Sequence, residues 1–97
     1  MRVAVIAPEL LFGSKVQELV RQAGHEVAGD DAEVIVVVLD GVEPEDVATD
    51  GPPVLGIYAH TRPDIRDRAL AAGFALAVPR SRFVREAAEL VGRLAKP

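Results

Sequence analysis

The chain has 97 residues, of which 49% are hydrophobic, 27% charged and 4% aromatic, with no cysteine and a net charge of −4. That length holds one domain, residues 1–97, around a single core of Val, Leu, Ile and Ala, and the balance is that of a globular rather than a disordered chain. The totals exclude a disulfide framework, a thiolate metal site and a thiol nucleophile, and they argue against nucleic acid as a partner, which needs a basic face.

RVAVIAP (residues 2–8) is an apolar run closed by proline, as in a strand buried on both faces. It is too short for a secretory h-region, and no window approaches the ~18 apolar residues of a membrane span, so no membrane partner and a cytoplasmic location are expected. In LLFGSKVQELVRQAGHE, residues Val16, Leu19, Val20 and Ala23 fall at helical spacing. Ser14 and Gln17 can form a capping box there, or the helix starts at Pro8 with Gly13 as a weak point, and Gly24 supplies the stop. HEVAG is a short strand, and VIVVVL is the strongest strand in the chain. EPEDVA opens with acids and proline that suit a short helix. PPVLGIYA is a fourth strand, RPDIRDRALAAG a helix ended by glycine, and FALAVP a fifth strand. Ser81 can cap the last helix, RFVREAAELVGRLA, whose Val84, Ala87, Val91 and Leu94 make one apolar face.

Apolar runs alternating with amphipathic helices predict an α/β fold, a three-layer sandwich around a parallel sheet. One connection is too short. Between HEVAG and EVIVVV only Asp30, Asp31 and Ala32 remain, whereas a parallel crossover usually needs ~10–12 residues or more. The second strand must therefore be short, or its following helix replaced by a bare loop. Either way part of one sheet face near residues 25–32 loses its cover, which points to a contact surface for a protein partner or a second copy.

The turn VIAPELLFGSK has one glycine, so neither the dinucleotide fingerprint nor a Walker loop is present, and no cofactor is expected. In open parallel sheets, chemistry gathers beyond the carboxyl ends of the strands. The residues expected there are Pro8, Glu9, Asp40, His60, Thr61, Arg80 and Ser81. Glu9 and Asp40 could together take a hard cation, or serve as a helix-end charge and a turn residue. His60, Arg80 and Ser81 could bind a small molecule or anion, with Arg80 alternatively paired to Asp40 or Glu9. His60 has no nucleophile signature to serve as a general base, so no catalytic residue is assigned and no enzyme is expected. Arg82 and Arg85 are expected to face solvent.

Taken together, RVAVIAP, HEV, EVIVVVLD, PVLGIYAH and RDRALAAGFALAVPRSRF resemble a response-regulator receiver domain over nearly the whole chain. The resemblance implies a five-stranded parallel sheet in the flavodoxin-like order 2-1-3-4-5, with strand two short and the second helix missing. It also implies a degenerate site. Receivers end strand one with an acidic pair that binds magnesium, and Ala7 and Pro8 stand there. Val38 falls at the phosphoacceptor position, Tyr58 at the switch threonine or serine, and Arg80 at the lysine. A two-residue slip would instead bring Asp40 and Glu9 into the site. The expected function is a phosphorylation-independent pseudo-receiver, a signalling module acting through protein–protein contact, most readily as a homodimer. The alternatives are an anion or small-molecule binder and a true phosphoacceptor at Asp40.

Overall fold

A computed structural model describes residues 1–59 and 61–95. Its strands are β1 (Arg2–Ile6), β2 (Glu26–Ala28), β3 (Val34–Val38), β4 (Val54–Tyr58) and β5 (Leu76–Pro79). All pair in parallel in the order β2-β1-β3-β4-β5. The helices are α1 (Leu10–Gln22), α2 (Pro63–Ala71) and α3 (Arg80–Ala95), and Pro44–Asp46 forms a single 3-10 turn where a short helix was expected. The architecture is the expected α/β sandwich, with strand two reduced to three residues.

One face of the sheet is covered by two helices. There α1 and α3 enclose Val3, Val36, Val38, Leu55 and Ile57 together with their own Val16, Val20, Phe83 and Leu90. Close approach of α1 depends on Gly13, because a Cβ at that position would stand 2.8 Å from the Cβ of Ala7. On the opposite face α2 packs on β4 and β5 and against the 3-10 turn, around Val37, Leu39, Val54, Ile65, Ala69 and Phe74.

The short second strand explains how the missing crossover helix is dispensed with. β2 pairs only with Arg2, Val3 and Ala4, and β3 begins opposite Val3. The chain therefore has only to step across β1, about 10 Å between the flanking strands. The five residues 29–33, able to reach about 16 Å, do this as a bare loop. Asp31 in that loop bonds Arg2 Nε at 2.8 Å. Arg2 alternates with the inward Val3, so the loop crosses on the face opposite α1, at the amino end of β1. Beyond it, Ala4 and Ile6 of β1 have no helix over them among the described residues, and Ile6 is 44% exposed.

The capping box at Ser14 and the Ser81 cap are not found, and α1 starts close to the alternative at Pro8. α1 begins at Leu10 with Glu9 as its cap, so Ser14 and Gln17 lie inside it; Glu9 has extended φ/ψ and supplies both carboxylate oxygens to the first turn. α3 begins at Arg80, which places Ser81 within the helix rather than at its cap. A bend at Glu86 (φ −127°, ψ 25°) interrupts α3. Phe83, four residues before Ala87 and seven before Leu90, is fully buried, while Val84, expected on the inner face, is 40% exposed.

Candidate functional site at the carboxyl edge of the sheet

The ends of the parallel strands bring residues from four segments to one edge. Ala7, Pro8 and Glu9 follow β1, Leu39 and Asp40 follow β3, Tyr58 closes β4, and Arg80 follows β5. Val38, the last residue of β3, is fully buried in the cluster beneath α1 and α3. Asp40 lies two residues beyond and is exposed. The β-branched run thus ends in the core, and only the turn after it presents a carboxylate.

Arg80 is the residue that ties this edge together. Its Nη2 donates to Asp40 Oδ2 at 2.7 Å, and its Cζ sits 4.4 Å from the centroid of the Phe12 ring in the first turn of α1. β5 and β3 are separated by β4 in the sheet, so the side chain spans one strand to reach its partner. A planar guanidinium suits this double duty, stacking on the ring with its face while its edge donates to the carboxylate. Arg80 Nε is buried and has no hydrogen-bond partner among the described residues.

Glu9 and Asp40 are both engaged. Glu9 Oε1 accepts from the Leu11 N–H at 3.1 Å and Oε2 from the Phe12 N–H at 2.6 Å, which commits its carboxylate to the α1 terminus. Asp40 is held by Arg80. Among the described residues, no group of three or more His, Asp or Glu side chains is placed to hold a metal ion. Ser81 is exposed beside Arg80. His60, the remaining member of the expected anion site, lies outside the described residues. Arg82 and Arg85 converge on Glu86 at 3.4 and 3.2 Å and take no part in the edge. Burial pushes the Glu86 carboxyl up, but the two arginines outweigh it and hold it below the usual carboxylate range.

Sequence reasoning reached Arg80 and Asp40 but not Phe12. The ring comes to Arg80 through the packing of α1 against the end of β1, a tertiary contact without a local pattern. A second arginine anchors the flank. Arg68 of α2 donates to Glu45 and Glu43 beside the 3-10 turn, and Thr49 Oγ1 donates to the Ala72 carbonyl at 3.0 Å. Hydrogen bonding from Arg68 holds the Glu45 carboxyl below its ordinary range. With the folded pKa below the unfolded one, that pair's contribution is present above the usual carboxylate range and fades as pH falls through it.

The comparisons decide the fold. One solved structure, a response regulator from Thermotoga maritima, superposes with a TM-score of 0.76 at 12% identity, covering 97% of this chain and 96% of that one. A response regulator receiver protein from Burkholderia phymatum superposes with a TM-score of 0.72 at 20% identity, covering 94% of each chain. This is the flavodoxin-like receiver fold. No protein-family model matches the chain. No curated protein matches it either. Within the receiver fold, the edge tied by Arg80 is the carboxyl edge at which open parallel sheets place their ligands. No helix of the described residues is long and apolar enough to cross a membrane.

Proposed function

We propose that the protein is a pseudo-receiver, a regulatory module of the receiver fold that works by protein–protein contact without being phosphorylated and without enzymatic activity. The observation that carries this reading is the Arg80–Asp40 bond stacked on Phe12. It engages the one carboxylate that extends past β3, while Ala7 and Pro8 supply no acid at the end of β1 and Val38 is buried. Transfer of a phosphoryl group needs a metal ion to neutralise charge on the moving oxygens. Glu9, the nearest acid after β1, already caps α1. Signalling then depends on which surfaces are exposed, and a protein partner or a second copy, met in the cytoplasm, is the ligand. Incubation with acetyl phosphate and Mg²⁺ followed by intact-mass measurement is the test. The expected result is an unmodified chain, and an acid-stable, hydroxylamine-labile phosphoryl adduct on Asp40 would overturn the reading.

One observation favours a second reading, an anion-binding domain using Arg80 and Ser81 with His60. A buried N–H without an acceptor is costly, and among the described residues Arg80 Nε is such a donor, beside the amino end of α3. An oxyanion that accepts from it would bind the native state alone and so raise the melting temperature with concentration. On this second reading, phosphate raises the melting temperature of the wild type and has no such effect on Arg80→Met. Equal responses in both proteins, or none in either, eliminate it.

A further inference from the structure

The surface left open by the missing helix has a definite composition. Strand register sets Ala28, Ala4 and Ile35 side by side across β2, β1 and β3, with Ile6 in the next row beside the buried Val37. At the amino end of the same face, Arg2 bonds Glu26 at 2.6 Å and Asp31 at 2.8 Å. Parallel strands apolar on both faces are ordinarily covered on both, so an open half-face with Ile6 at 44% exposure is a surface short of a partner.

We infer that this half-face, centred on Ile6, Ala4, Ala28 and Ile35, is where a second copy of the same chain docks, sheet against sheet, about a two-fold axis. The inference rests on the reading that the protein works by protein–protein contact, and it names the surface and the occupant. Shape is one reason for choosing a second copy. Two of the four residues are alanines, so the face is shallow and suits another sheet face, and two sheets of the same twist pack aligned at about 30°. Charge is the other. The rim holds Arg2 between Glu26 and Asp31, both signs within one cluster. With the two-fold axis running along the strands, such a rim meets its own copy with opposite charges in reach, whereas a one-signed partner would meet a like charge.

Area sets the strength. Three strands and the five residues of β1 span about 10 by 16 Å, well under the ~800 Å² per partner of a standard stable interface. The dimer is therefore weak and depends on concentration.

Sedimentation velocity of the full chain from micromolar to millimolar concentration tests this. Wild type is expected to shift from monomer to dimer across that range. Ile6→Arg and Ala28→Glu each weaken association about tenfold or more, as expected for a charge set in the centre of an apolar contact. Val84→Arg, on the outer side of α3, leaves it unchanged, and far-UV circular dichroism verifies that all three variants fold. Two substitutions at separate strands keep the test alive should one of them unfold. A wild type that stays monomeric to millimolar concentration overturns the inference, while the wider reading still stands or falls on the phosphoryl-donor test. A dimer broken by Val84→Arg and kept by Ile6→Arg also overturns it, yet supports regulation by contact through the helical face. Equal loss in all three variants rejects a defined sheet interface.

Discussion

Phe83→Ala is expected to destabilise the protein by about 3–5 kcal/mol, read as a fall in the urea midpoint at unchanged slope. Phe83 is fully buried and heads the largest side chains of the cluster between the sheet and the two helices. Truncation removes its transfer free energy and leaves a cavity among Val, Leu and Ile neighbours that cannot collapse without moving strands. A domain of this size has only about 5–15 kcal/mol in hand, so the variant sits close to unfolding at room temperature. Its neighbour is the control. Val84→Ala, at a position 40% exposed, is expected to change stability by no more than about 0.5 kcal/mol. Similar losses in both would mean that the phase of α3 before Glu86 is wrong.

Gly56→Val is expected to cost at least the 1–3 kcal/mol, roughly, of overpacking a fixed core. Gly56 lies in β4, paired on both sides, to Val37 in β3 and Ala77 in β5, so its backbone cannot retreat. A Cβ there would stand 2.8 Å from Leu39 Cδ1 and 2.9 Å from two ring carbons of Phe74. The obstruction is made of side chains, which allows a sharper measurement than the single loss. Gly56→Ala should be less damaging in a Leu39→Ala background than alone, because one of the two blocking groups is gone, and not harmless, because Phe74 remains. Strict additivity of the two changes in denaturant melts would show that the strand itself moves.

The strands were legible because each is a short apolar run bounded on at least one side by Pro, Gly or Asp, and because alternation with helical spacing admits few topologies. The open face was legible from arithmetic alone, since three residues between two strands leave no room for a helix. What the sequence concealed has physical causes. Glu is not among the favoured capping residues, so Glu9 read only as a helix-end charge, and the fold shows its carboxylate accepting from both the Leu11 and Phe12 N–H groups as a cap. In α3, by contrast, Phe83 stands four residues before Ala87 and seven before Leu90, so the 3.6-residue period fits it better than the adjacent Val84, expected on the inner face in its place. At the site, the Arg80–Asp40 pair could be weighed from strand ends. The Phe12 ring beneath it could not, because it depends on how α1 docks against Ala7.

Regulation without phosphorylation stands or falls on whether the carboxyl edge responds to a phosphoryl mimic. The direct measurement is a two-dimensional ¹H–¹⁵N spectrum of the protein with Mg²⁺, recorded before and after addition of beryllofluoride. The expected result is that the amides of Val38 to Gly41, Tyr58 and Arg80 keep their positions, because Asp40 stays bonded to Arg80. Saturable shifts confined to Asp40, Arg80 and the ends of β1 and β4, abolished by Asp40→Asn, would contradict it and make Asp40 a phosphoacceptor.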